Sequence, residues 1–391
     1  MLGQVLHRWL VRVAVGCGLL AVPASLIGCL DPAEGADAPV RGADDLIEDP
    51  RPAEAVLAAL PTEMRDHAVL IEDSGCLHRA APEHPRMVLF SADGRRLAAF
   101  SSDPDDPRFD EVMWAELQAD GFWQLATSDP EEVERAPEDC NSCHGQPSRP
   151  IWDAYPEWQG VMGDAAGRLN PAQRDALAAA FDDREHRLHA LELAFDEHEP
   201  SLRLASRFYD VPATTLNLEL GTAVAEGLAH RIATNTDAAR LTDWFLDDQC
   251  RGATDEAVTE SVAALDADLH PTRHTLYRRA GIEAGELNLG RDDRATIGTW
   301  NAGAAELHRV VTFLLVDALV AARPALSSLL ADGTEGRERM REDWWLRKGP
   351  DRRQLVQEGW EVRLAPSEWF ETTLGVDGDP RREAFCRALV E

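Results

Sequence analysis

The sequence predicts an α+β chain, mainly α: a small antiparallel β-hairpin sheet, then a cysteine-bearing loop, then a C-terminal helical bundle. Three observations carry that class. Asp-Gly pairs stand between apolar runs twice between residues 86 and 127, and such turns close hairpins. Beyond residue 170 the apolar residues recur at helical spacing. The 391 residues are 44% hydrophobic, which suffices for one large or two modest domains.

The first element is a leader. Residues 1–28 contain no acid, His7, Arg8 and Arg12 are basic, and Val13 to Ile27 is apolar but broken by Gly16, Gly18 and Pro23. The stretch is short for a membrane span and has the build of a secretory signal peptide. It ends in Leu26-Ile27-Gly28-Cys29, which resembles the bacterial lipobox, with Cys29 as the lipidated residue. Residues 29–61, rich in Ala, Pro, Asp and Gly, read as a flexible linker behind that lipid. The expected place is the bacterial cell envelope, facing periplasm or exterior and held to the membrane by the lipid alone.

The hairpin region spans 62–135. Its first hairpin pairs Arg86–Phe90 with Arg96–Phe100 around Asp93-Gly94, and its second pairs Glu111–Leu117 with Phe122–Thr127 around Asp120-Gly121. Residues 136–200 hold the cysteine-bearing loop and a helix that Asn170-Pro171 opens, running to about His198. Residues 201–391 are expected to be helical: Leu216 to about Ala233, Ala238 to about Asp248, and a very apolar helix from Trp300 to Ala322.

The loop carries the chemistry. Cys140-Asn141-Ser142-Cys143-His144 fits C-x-x-C-H, the attachment motif of a c-type haem. Two thiols reach the two vinyl groups of one porphyrin, and the next residue presents an imidazole to the iron from the same side. Random placement at this composition gives about 0.004 such motifs per chain. Three other chemistries compete. A disulfide across the pair needs nothing more, a thioredoxin-like pair wants a βα context, and a zinc site wants a second matched pair.

The motif continues as Gly145-Gln146-Pro147-Ser148-Arg149-Pro150-Ile151-Trp152-Asp153-Ala154-Tyr155-Pro156-Glu157-Trp158-Gln159-Gly160-Val161-Met162-Gly163. This run resembles a family of exported, single-haem, cytochrome-c-like bacterial proteins, which carry C-x-x-C-H-G and then R-P-x-W-D-x-Y-P-x-W-x-G. The match is specific over about twenty residues. The resemblance implies covalent haem c and export, and names no reaction. It departs from small class I cytochromes c, which follow the motif with a Gly-Pro-Leu turn and a later methionine ligand. From the residues themselves, Cys140 and Cys143 anchor the porphyrin and His144 ligates the iron. Arg149 suits a haem propionate, and Trp152, Tyr155 and Trp158 suit a wall over the ring.

The sixth position is open to three answers: Met162, in a Gly-flanked turn, a histidine such as His186 or His189, or no protein ligand. A filled position suits electron transfer, and an open one suits a haem enzyme or a protein that binds gas or peroxide. If the pair forms a disulfide instead, the chain is a non-catalytic surface lipoprotein. Met87 and Met113 fall on the hairpins as core residues, and His308 falls inside the apolar helix. Cys76, Cys250 and Cys386 leave one disulfide and one thiol, with the pairing open. The clusters Asp103-Pro104-Asp105-Asp106 and Asp129-Pro130-Glu131-Glu132 lack EF-hand spacing and read as solvated loops.

Charge limits the partners. The formal charge is -31, and loss of Arg8 and Arg12 with the leader takes it to -33. Lys348 is the sole lysine. A nucleic-acid partner is excluded, because phosphate contact needs a cationic face. The expected redox partner is a basic protein, or an acidic one met at high salt.

Overall fold

In the computed structural model the described residues are 50–75, 77–150, 160–163, 167–191, 193–196, 201–204, 211–236, 238–265 and 379–391, with isolated positions at 277, 280–282, 311, 314–315 and 326. Within them a six-stranded antiparallel meander stands in the order β1-β2-β3-β4-β5-β6. Its strands are β1 (Ala68–Ile71), β2 (Arg86–Phe90), β3 (Arg96–Phe100), β4 (Val112–Leu117), β5 (Trp123–Ser128) and β6 (Val133–Arg135). The first hairpin stands where the sequence put it; in the second, the first strand begins one residue later, at Val112, and the second strand is shifted by one residue, to Trp123–Ser128. The edge strands β1 and β6 were not legible. β1 is a run of four apolar residues with no alternation, because both of its faces are buried.

Alternation along the strands supplies two cores. Leu70, Met87, Leu89, Phe100, Val112 and Trp114 face one side. There they meet Val56 and Leu57 of α1 (Ala53–Ala59), Met64 of α2 (Thr62–Asp66) and Leu177 of α4 (Pro171–Asp182). Val69, Ile71, Phe90 and Trp123 face the other side. That face meets α5 (Pro212–Asn235), α6 (Ala238–Gln249), α7 (Glu256–Ala264) and α8 (Pro380–Val390). Trp114 Nε1 donates to Ser128 Oγ at 3.0 Å, so the indole is buried without an orphaned donor.

α1 corrects the linker reading, which ran to residue 61. Ala53, Val56 and Leu57 recur at helical spacing and are all but fully buried, between Pro52 and Leu60-Pro61. The Ala- and Pro-rich composition of its surroundings hid this one short apolar face.

The stretch opened by Asn170-Pro171 is also shorter than its periodicity suggests. Asn170 Oδ1 accepts from Gln173 N at 2.9 Å and Gln173 Oε1 accepts from Asn170 N at 3.0 Å, a reciprocal cap. The helix stops at Asp182, because Asp183 turns extended and its carboxylate takes the Glu185 N–H at 2.9 Å. His186 Nδ1 then accepts the Leu188 N–H and opens a 3-10 turn over Arg187–Ala190. A second, two-stranded sheet follows, β7 (Leu193–Asp196) with β8 (Ser201–Leu204).

The two hairpin tips rest on α5. Gly94 adopts φ +71°, and a Cβ there would lie 2.3 Å from the Glu219 carbonyl carbon. The tip at Gly121 meets Gly227 in the same way. Eight helical residues span about 12 Å, close to the roughly 10 Å between tips two strands apart. Gly94→Ala should therefore destabilise by about 2–4 kcal/mol, combining left-handed strain with overpacking. A urea midpoint equal to wild type would show that the tip does not carry the helix.

Of the cysteine trio, Cys250 and Cys386 form the disulfide, joining the end of α6 to α8. Cys76 lies outside the described residues, as do the leader, Cys29, His308 and nearly all of 300–322.

Candidate functional site

The connections β1–β2, β3–β4 and β5–β6 all lie at the end of the sheet away from those tips. The motif returns the chain to this end. Past β6, Ala136 takes φ +52° while its N–H bonds Leu125 O at 2.8 Å, which reverses the chain into Pro137. α3 (Glu138–His144) then carries the motif. The chain comes back at Gly160 to Met162 along the free side of β1. Glu72 N bonds Gly160 O at 2.6 Å, Met162 N bonds Leu70 O at 2.8 Å, and Ile71 bridges Val161. The segment thus joins the two edges of the sheet. Residues 151–159, with Trp152, Tyr155 and Trp158, lie outside the described residues.

On α3, Cys140, Cys143 and His144 stand at i, i+3 and i+4, which places them on one helix face. Cys140 is buried, Cys143 is exposed, and neither is in a disulfide. His144 Nδ1 lies 2.7 Å from Arg149 O. A carbonyl only accepts, so Nδ1 carries the proton and the basic lone pair sits on Nε2. Gly145, at φ +80°, ends the helix where an L side chain would be strained.

Side chains brace this loop. Asn141 Nδ2 donates to Ala136 O at 2.8 Å and Asn141 Oδ1 accepts from Ser148 Oγ at 2.7 Å, tying the segments before and after the helix. Arg108 reaches Asp139 and Glu111, each at 3.0 Å, and so pins α3 to the β3–β4 connection. Burial pushes the Glu111 carboxyl above its ordinary range, with Arg108 opposing. That connection is itself held by Arg187, which donates to Ser101 O at 2.6 Å and Phe109 O at 2.7 Å, pairs with Glu54 and lies over the Phe109 ring.

The other expected ligands fall as follows. Arg149 contributes its carbonyl to His144, a role the sequence did not suggest, and its side chain is half-buried. Met162 is 3% exposed and packs in the core shared by α1, α2 and α4. His189 is exposed. His186 is half-buried: Nε2 lies 3.2 Å from both His84 Nδ1 and Glu83 O, and burial holds the ring below its ordinary pKa. The acidic clusters are turns rather than loose loops, with Asp106 accepting N–H bonds from Arg79 and Arg108 and Asp129 from Glu131 and Glu132. Among the described residues no group of three or more His, Cys, Asp or Glu gathers to hold a metal ion.

One residue at this end went unnoticed in the sequence. His78, in the β1–β2 connection, is fully buried, and neither ring nitrogen has a hydrogen-bond partner. Burial first, then the Arg86 charge, lowers its pKa from 6.5 to about 3, with Arg187 adding to the drop and Asp106 and the Glu111 main chain opposing it. The unfolded chain binds this proton near 6.5 and the folded chain does not. Stability therefore falls as pH drops through 6.5, by about 2 kcal/mol between about pH 7 and pH 5. Urea midpoints of the haem-free chain across that range test this. An equal slope in His78→Leu would assign the loss elsewhere.

Compared with protein-family models, with curated proteins and with solved structures, the chain matches none.

Proposed function

We propose that the chain is a lipid-anchored, extracytoplasmic c-type cytochrome with one covalent haem and a role in electron transfer. The observation that carries this reading is His144, its Nδ1–H donating to Arg149 O, on the same face as the Cys140 and Cys143 sulfurs, neither of which is in a disulfide. The donor set fits the group: two thiols for thioethers, and an imidazole whose lone pair sits on Nε2, oriented by a backbone acceptor. When bound, haem supplies a one-electron couple. The chain does the rest. Asn141 and Arg108 hold α3 in register with the sheet, and Trp152 is assigned to the wall that excludes water. Cys29 carries the lipid, and the acidic surface selects a basic redox partner. Helices α5 to α8 belong in this reading to a larger C-terminal bundle that includes 300–322.

A second reading is a haem protein with an open sixth position that binds CO, NO or peroxide. It draws support from Met162, whose burial lies in an apolar core. Expression with its leader and the haem-maturation machinery separates the readings. A haem-staining band that survives denaturing electrophoresis, with a low-spin reduced spectrum indifferent to CO, supports electron transfer. A high-spin spectrum that shifts with CO supports the second reading, and absence of covalent haem overturns both.

A further inference from the structure

Carboxylates outnumber basic side chains 70 to 39, so a half-buried arginine here should find an acid. Several near the sheet do: Arg95 pairs with Glu226, Arg96 with Glu116, Arg108 with Glu111 and Asp139, and Arg187 with Glu54. Among the described residues Arg86 does not. It opens β2 opposite Ile71, at the loop end of the sheet. Of the described residues its guanidinium approaches Ser74 Oγ at 3.4 Å and Met113 Sδ at 3.8 Å, and its Nε is buried without a hydrogen bond.

Beside it stands His78, fully buried with both nitrogens unsatisfied. The nearby acids are committed elsewhere. Asp106 accepts from Arg79 N at 2.8 Å and Arg108 N at 3.0 Å, and Glu111 is held by Arg108. Among the described residues, therefore, no uncommitted carboxylate reaches the Arg86 fork or the buried His78 ring. A carboxylate would take the guanidinium fork with one oxygen or both, and an imidazole N–H besides.

We propose that Arg86 and His78 form a seat for one carboxylate, and that this carboxylate is a propionate of the haem anchored on α3. The assignment rests on the haem reading. Proximity supports it. Asp139, next to Cys140, is tied through Arg108 to Glu111, two residues before the Met113 that Arg86 touches. A porphyrin held by its vinyl edge presents its propionates on the opposite edge.

The test uses haem-loaded protein and the variants Arg86→Gln, Arg86→Lys and His78→Leu. Arg86→Gln should leave covalent haem unchanged, because attachment is through Cys140 and Cys143, and in the haem-free chain it should leave the urea midpoint unchanged, because among the described residues Arg86 has no carboxylate to lose there. It should shift the resonance Raman propionate band and lower the midpoint potential, since a cation near the ring favours the reduced iron. Arg86→Lys should restore the potential in part, and His78→Leu should shift the same band. An unchanged band and potential in Arg86→Gln on loaded protein overturn the proposal. Wild-type protein without covalent haem overturns the propionate assignment. In that case titration with acetate, read on the His78 ring resonances, decides the seat itself. A response lost in Arg86→Gln assigns it to a free carboxylate, and no response removes it.

Discussion

Replacing Cys140 and Cys143 together with alanine is expected to abolish covalent haem while leaving the fold in place. The loss should be complete, because each thioether needs its own sulfur and no other cysteine lies on α3. Neither thiol belongs to the two apolar cores that flank the sheet, so the double variant should stay within about 1 kcal/mol per site of the unmodified chain. His144→Ala differs in kind. It keeps both sulfurs but removes the iron ligand, so haem that does attach should show an altered spin state. Haem staining and the reduced spectrum read the two effects separately. A haem band persisting in the double alanine variant would place the attachment elsewhere.

The second large effect is expected at the disulfide. Cys250 and Cys386 are 136 residues apart and both are buried. Closing so long a loop restricts the unfolded chain, and losing the bond should cost about 2–5 kcal/mol. Other ties between α8 and its neighbours replace little of this. Arg387 pairs with Asp255 at an exposed site and Glu383 accepts from Thr254 N at 2.8 Å, each a modest contribution. Phe385 and Leu389 do bury against the core and keep some attachment. Cys386→Ser and reduced wild type should share one lowered denaturation midpoint. A loss below about 1 kcal/mol would mean that apolar docking alone holds α8.

The hairpins were legible because their information is local. Asp93-Gly94 and Asp120-Gly121 specify tight turns, and the flanking residues alternate between two buried faces. Asn170, Gln173 and Pro171 announced the start of α4 for the same reason. The end of α4 was not readable. Asp182 to His186 keep helical composition, yet the Asp183 carboxylate and the His186 ring capture backbone N–H groups and break the helix. α1 was hidden because its burial depends on a sheet that lies later in the chain.

The motif itself was legible, since C-x-x-C-H is a covalent requirement written in five consecutive residues. The rest of the site was not, because its parts are far apart in sequence. Arg108 and Asp139 are 31 residues apart, Arg187 and Glu54 133 apart, and His84 and His186 102 apart. No local pattern marks such pairs. By itself the sequence determined the two hairpins, the opening of α4 and the three residues on one face of α3. Only the tertiary structure decided that Arg149 orients His144 through its carbonyl, that Met162 belongs to an apolar core, that Cys250 pairs with Cys386, and that Arg86 and His78 share a corner whose described acids are bonded elsewhere. Local propensity acts between neighbours in the chain, whereas burial and ion pairing act between neighbours in space, and packing alone chooses those.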